Sequence, residues 1–260
     1  MNTRIALLGQ PNSGKSTVYN ALTGSRQHVG NWPGKTGEKN DGFYTYKGTK
    51  YTVTDLPGSY GLSGNSDEEI ITAEFIKLGM ADLVCILVDA SQLERSMYMA
   101  AEFAPLGKPA VLLLNMMDVA KAQKKEIDHK LLEQRLGIPV LPFTAADSKG
   151  YGELKELFAR ELKAPHTLSS APKTVDGGAS AQAVLSQSQA KFLWIENMLK
   201  GVTHTASPEY KLSRFDRAAT SPIKGKFLCL GVVLAAFLVP QFLRHPTVAI
   251  KLKEPVSAYC

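Results

Sequence analysis

A short apolar run, Ile5 to Leu8, leads directly into Gly9-Gln10-Pro11-Asn12-Ser13-Gly14-Lys15-Ser16, and a helix-patterned segment, Lys15 to Thr23, follows without a break. A glycine-bounded turn of this length between strand and helix restricts the chain to a βα unit whose loop presents backbone N–H groups at a helix N-terminus. Such a row of orphan donors, together with the helix dipole, favours phosphate oxygens. The spacing fits G-x4-G-K-[ST], in which Lys15 reaches the β- and γ-phosphates and the Ser16 hydroxyl binds Mg²⁺. Gly9 through Ser16, with Thr17 beside them, are the first candidate nucleotide contacts, and Lys15 is also a catalytic candidate.

The same alternation continues downstream. Strand-length apolar runs recur at Tyr51 to Thr54, Leu83 to Val88, Ala110 to Leu114 and Pro139 to Phe143. Helix-patterned segments fall between and after them at Asp67 to Leu78, Gln92 to Leu106, Glu126 to Leu136 and Gly152 to Leu162. Strands separated by helices predict an α/β fold with a mostly parallel sheet covered on both faces. Gly42 to Tyr46 and Tyr51 to Thr54, joined across Lys47-Gly48-Thr49-Lys50, predict a hairpin that brings the sheet to six strands. With the loop at Gly9 to Ser16, and with the signatures that follow, the expected architecture is that of a P-loop GTPase.

Three further signatures stand at strand ends in chain order. Asp55-Leu56-Pro57-Gly58 places a carboxylate to hold Mg²⁺ through water and a Gly58 N–H to meet the γ-phosphate, which makes Gly58 a catalytic candidate. Asn115-Met116-Met117-Asp118 resembles the NKxD signature of GTPases. An Asp118 carboxylate at the base edge accepts from the guanine N1–H and 2-amino donors, which adenine lacks there. Met116 replaces the usual lysine and keeps apolar packing on the base. Thr144-Ala145-Ala146 matches the loop whose backbone meets guanine O6. The order of these signatures separates a GTP-binding domain from a generic P-loop ATPase.

Composition narrows the surroundings. The net charge of +6 is spread along the chain, and Lys121, Lys124 and Lys125 read as a solvated helix face, so nucleic acid is not an expected partner. Cys85, Cys229 and Cys260 lack metal or disulfide spacing and read as buried thiols of a reducing compartment. The N-terminus lacks the long apolar region of a secretory signal. Between Ala164 and Ala183, Pro, Ser, Thr, Gly and Ala dominate, which reads as a linker; helical patterning returns at Gln182 to Lys200 and again at Tyr210 to Ala219. Phe227 to Leu243 is apolar throughout, and at 1.5 Å per residue spans about 26 Å, marginal for a bilayer. Lys211, Arg214, Arg217, Lys224 and Lys226 precede it, against Arg244, Lys251 and Lys253 after it, so the positive-inside rule leaves the large N-terminal part cytoplasmic.

The GQPNSGKST loop, the stretch Leu22 to Gly34, Thr36 and Glu38, DLPGSY, VDASQLERSMY at Val88 to Tyr98, and NMMD together resemble the N-terminal domain of the ferrous iron transport protein B family over about residues 1 to 163. The resemblance implies that Gly34, Lys35 and Thr36 belong to switch I, with Thr36 completing Mg²⁺ coordination beside Ser16 and Asp55. It implies that Asn12 helps hold a K⁺ ion against the phosphates, where a cation offsets transition-state charge as an arginine finger does. Thr36 and Asn12 thereby join the catalytic candidates. Ser59 stands where signalling GTPases carry a water-orienting glutamine, so intrinsic hydrolysis is expected to be slow.

The expected division is a GTPase domain at 1 to 165, a linker at 166 to 182, a short helical spacer at 183 to 222, a candidate transmembrane helix at 223 to 244, and an unassigned tail at 245 to 260. The expected function is a GTP-binding, slowly GTP-hydrolysing switch of a bacterial ferrous iron uptake system, part of a truncated permease, since one span cannot form an ion path. Its expected partners are GTP and GDP, the inner membrane or the rest of a permease, and a second copy of the chain. The alternative class is a soluble assembly or signalling GTPase; a third is a nucleotide-gated docking domain with negligible turnover. Residues 183 to 260 show no RNA-reading platform.

Overall fold

The structure, a computed structural model, describes residues 3–24, 27–32, 38–64, 66–173 and 181–205, with Lys226 and Leu234 as single residues. In chain order the elements are β1 (Thr3–Gly9), α1 (Lys15–Thr23), β2 (Gln27–Asn31), β3 (Glu38–Tyr46), β4 (Thr49–Asp55), α2 (Asp67–Lys77), β5 (Leu83–Asp89) and α3 (Leu93–Phe103). There follow β6 (Ala110–Asn115), α4 (Met117–Ala122), β7 (Lys125–Ile127), α5 (His129–Leu136), β8 (Val140–Pro142), α6 (Tyr151–Glu161), α7 (Ala181–Leu199) and β9 (Thr203–Thr205). All of them lie within one compact unit, Met1–Ala206.

The main sheet runs β2-β3-β4-β1-β5-β6-β8. Strands β4, β1, β5, β6 and β8 pair in parallel, whereas β3 pairs antiparallel with both β4 and β2. Because side chains alternate across a strand, one sequence feeds two cores. Ile5 and Leu7 of β1, with Cys85 and Leu87 of β5 and Val111 and Leu113 of β6, pack with Val18, Leu22, Leu154 and Phe158 of α1 and α6. Ala6 and Leu8, with Val84, Ile86, Leu112 and Leu114, pack on the opposite face with Met97 and Phe103 of α3, Leu132 of α5 and Trp194 of α7. Each fully buried aliphatic contributes about 1.5–3 kcal/mol, so the two-faced burial of β5 and β6 explains why they read as unbroken apolar runs. Cys85 is buried as expected, and burial pushes its thiol well above the usual range.

The six expected strands are present, and β2 adds a seventh at the open edge. Its sequence, QHVGN, has too little apolar alternation to read as a strand; pairing with β3 makes it one. The helix expected from Glu126 begins only at His129, where Asp128 caps it by accepting from Leu131 N–H at 3.0 Å. Residues 125–127 instead form β7, paired with β9 in a small second sheet. The expected lysine face is corrected accordingly. Lys121 is exposed on α4, Lys124 sits in a left-handed turn, and Lys125 donates to the Ser91 carbonyl.

Residues 166–172 carry no helix or strand, yet they are tied to the sheet: Ala110 N–H donates to His166 O, and Ser169 donates through N–H to Leu136 O and through Oγ to Arg135 O. Trp194 Nε1 closes the strap with a 3.1 Å bond to Ser170 Oγ. Among the described residues no helix is long and apolar enough to cross a membrane. The apolar segment expected at 223 to 244, the helix at Tyr210 to Ala219, the tail, Cys229 and Cys260 lie outside the described residues, apart from Lys226 and Leu234.

Candidate nucleotide-binding site

Parallel strands bring their C-terminal ends to one edge of a sheet. Here β1 ends at Gly9, β4 at Asp55 and β6 at Asn115, so the three signatures, distant in sequence, open onto a common edge. The first loop depends on two unusual backbone positions. Gly14, the N-cap of α1, has φ +92°, and Asn12 has φ +64°. At Gly14 the space is closed as well, because a Cβ would lie 2.3 Å from Asn115 Nδ2. Only glycine meets both demands without strain. Gly9 is similarly enclosed, its Cβ direction facing Ser13 Oγ at 2.7 Å and Leu87 O at 2.9 Å.

Asn115 is 1% exposed and works as a brace. Its Nδ2 donates to Ser13 O at 2.8 Å, and its Oδ1 accepts from Ala145 N–H at 2.9 Å. The amide expected among the nucleotide contacts therefore joins the phosphate loop to the 144–146 loop. Tyr151 Oη adds a 2.8 Å bond to Ala145 O. Met116 is left-handed at φ 62° at the N-cap of α4, and Asp118 is exposed in that helix's first turn. Thr144 and Ala145 are half-buried and Ala146 is exposed.

At the phosphate end, Lys15 Nζ lies 3.8 Å from Asp55 Oδ1, and both side chains are nearly covered. Burial pushes the Lys15 amine down, offset by the Asp55 charge. Burial likewise pushes the Asp55 carboxyl up, offset by the Lys15 ammonium and the Ser16 hydroxyl. Asp55 Oδ1 is buried without a hydrogen-bond partner. A hard-oxygen pair, one hydroxyl and one incompletely satisfied carboxylate, fits a divalent cation such as Mg²⁺. The residues open onto a cavity of about 250 Å³ shared with Trp32, Asn40, Leu56, Pro57, Gly58 and the first turn of α2. Gly58 abuts the loop, its Cβ direction 3.5 Å from Lys15 Nζ and from Pro11 Cα. Gln10 is buried and donates to Arg95 O on α3, whereas Asn12, Ser16 and Thr17 are exposed. Gly34, Lys35 and Thr36 lie outside the described residues.

The family profile described as ferrous iron transport protein B matches residues 3–158. The chain belongs to that family. It is 44% identical over 155 residues to the Fe(2+) transporter FeoB of Salmonella typhimurium, an alignment that covers 58% of this chain and 20% of the transporter. The chain thus spans about a fifth of the length of the curated relatives it matches. Among solved structures, the cytosolic domain of T. maritima FeoB in its GMPPNP form superposes with a TM-score of 0.72 at 28% identity, covering 78% of this chain and 99% of that one. The FeoB G-domain from Methanococcus jannaschii is 42% identical, with a TM-score of 0.55, covering 63% and 99%.

Two arrangements beside the site were not legible in the sequence, although Trp32 itself lies in the stretch that carries the family resemblance. Trp32 is buried edge-on against Phe75 of α2, ring centroids 5.5 Å apart, with Lys39 Nζ 5.6 Å from its centroid. Asp41 of β3 accepts from Thr54 Oγ1 at 2.6 Å and pairs with Lys39 at 2.9 Å. The Asp41–Thr54 bond depends on the β3–β4 hairpin register, which sequence spacing alone does not assign to these atoms, and the Trp32–Phe75 contact joins residues of distant segments.

Proposed function

We propose that this chain binds GTP with Mg²⁺ on its phosphate loop, hydrolyses it slowly to GDP and phosphate, and serves as the nucleotide switch of a bacterial ferrous iron uptake system. The observation that carries this reading is the Lys15–Asp55 pair at 3.8 Å beside Ser16, in which Asp55 Oδ1 is buried without a hydrogen bond and all three residues line the 250 Å³ cavity. Lys15 holds the β- and γ-phosphates, while Ser16 and Asp55, with Thr36, hold Mg²⁺. The bound cation supplies charge neutralisation at the β- and γ-oxygens. The Gly58 N–H, next to Lys15, orients the γ-phosphate. Asp118 accepts from the guanine edge, Met116 packs on the base, and Ala146, exposed beside the engaged Ala145 amide, meets O6.

Slow turnover follows from Ser59, which is 3% exposed with its Oγ buried, so it orients no water in the cavity. Asn12, exposed and left-handed at the loop's rim, supplies the K⁺ ligand, and the ion stimulates turnover. The cytoplasmic side of the inner membrane is the site of action, with residues 1 to 165 as the nucleotide domain, 183 to 222 as a spacer and 223 to 244 as the anchor. The remainder of an iron permease is the partner.

The test is GTP turnover in K⁺ against Na⁺, alongside nucleotide affinity. Ser16→Ala is expected to abolish Mg²⁺-dependent affinity, and Asn12→Ala to remove K⁺ stimulation while GDP affinity stays within about threefold. Fast turnover without K⁺ would sink both the slow-hydrolysis and the potassium readings; no guanine-nucleotide affinity would sink the whole.

A further inference from the structure

Glu102, near the C-terminal end of α3, keeps only 6% of its side chain in contact with solvent. An unpaired carboxylate so placed is costly, and this one is compensated from two directions. From the loop after β4, Leu62 N–H approaches Oε2 at 3.3 Å, and Ser63 Oγ stands 3.0 Å from each oxygen. From α7, the Lys191 ammonium donates to Oε1. The loop passes close: a Cβ on Gly61 would lie 3.8 Å from Glu102 Cδ. One turn earlier on α3, Tyr98 supports the same junction, with Lys191 Nζ 5.4 Å from its ring centroid and the Phe192 ring 6.0 Å away.

We propose that Glu102 is a positioning residue that holds the loop at residues 61–63 and helix α7 to one another, so that a nucleotide-driven change in the loop alters the hold on α7. The proposal rests on the nucleotide-switch reading given above. Residue 62 lies four positions beyond Gly58, which lines the same cavity as Lys15 and whose Cβ direction faces Lys15 Nζ at 3.5 Å, so events at the phosphate end reach the Leu62 N–H through a short length of backbone. When the loop withdraws its two neutral donors, Glu102 retains its charge in a nearly dry site with Lys191 as the remaining donor. The carboxylate then re-aims, and the lysine, and the helix that carries it, must follow or lose a charge-assisted bond. Linkage makes the coupling reciprocal: whatever restrains α7 biases the loop by the same free energy.

Hydrogen exchange of the full 260-residue chain, saturated with GDP or with a non-hydrolysable GTP analogue, tests this. Exchange over residues 185–199 is expected to differ by roughly tenfold between the two nucleotides. Lys191→Met and Glu102→Gln should erase that difference, and Lys191→Arg should retain it, while GDP affinity, measured in parallel, stays within about threefold in all three. Persistence of the difference in Lys191→Met and Glu102→Gln would overturn the proposal. So would identical exchange in an unmodified chain that binds both nucleotides. An unmodified chain that binds neither would overturn the switch reading and the proposal together, and the parallel affinity measurement tells the two failures apart. If Glu102→Gln loses the fold, the lysine pair, whose side chain is partly solvated, carries the test alone.

Discussion

Two parts of the candidate site and its surroundings are built differently. At one end the phosphate loop, the β6 terminus and the 144–146 loop are locked by one buried amide, Asn115, which bridges Ser13 O and Ala145 N–H. At the other, the loop after Asp55 passes Lys15 at Gly58 and is held through Leu62 and Ser63 on Glu102. At the first end the Asn115 amide is satisfied on both sides at the edge of the sheet, where preorganisation favours tight contact with a ligand. The second hangs on a few bonds from an irregular segment, where local opening is cheap. A switch needs both, since a site that moved everywhere would not hold its nucleotide, and one that moved nowhere would not report it.

If that contrast is right, substitutions at the braced end should damage folding and affinity together. Gly14→Ala should be the most severe, because φ +92° strains any other residue and the new methyl would displace Asn115. A loss of about 3–5 kcal/mol in urea unfolding is expected, with nucleotide affinity reduced beyond measurement. Near-wild-type stability would mean that the brace yields easily. Asn115→Ala should cost about 2–4 kcal/mol, leaving Ser13 O and the Ala145 amide unpaired; titration with a fluorescent guanine nucleotide should show affinity falling about a hundredfold.

Asp118→Asn sharpens the same end differently. It should leave stability within about 0.5 kcal/mol, since Asp118 is exposed, while weakening guanine affinity by about a hundredfold or more, because two charge-assisted bonds to the base are lost. Equal affinity for GDP and ADP in the unmodified chain would undo this assignment. The smallest expected effect lies at the other end. Ser63→Ala should cost about 1 kcal/mol or less in stability and leave GDP affinity unchanged within about twofold. A large loss of affinity would place the loop among the binding elements and collapse the contrast.

The legibility of the two ends differed for the same reason. Gly9 to Ser16, Asp55 to Gly58 and Asn115 to Asp118 are contiguous motifs at the ends of apolar runs, so they are legible in the chain itself. Asn115 was legible as part of the site, but its role as a brace was not, because its partners are 102 and 30 residues away. Glu102 had no motif at all. It reads as one more polar position on an amphipathic helix until Ser63, 39 residues before it, and Lys191, 89 residues after it, arrive at the same carboxylate. The strap at 166–172 reads as a linker by composition and is fastened by backbone bonds to Ala110 and Leu136, which composition does not encode.

By itself the sequence determined the alternation of strands and helices and the position of the glycine-bounded loop and the Asn115-to-Asp118 motif at strand ends. Hydrophobic period and glycine placement are local properties, and local properties are written in consecutive residues. Only the tertiary structure decided which strand became the seventh, how Trp32 docks on α2, and which carboxylate joins the loop at 61–63 to α7. Those depend on a register between distant segments, and the register is chosen by the burial of both sheet faces at once rather than by any one stretch of chain.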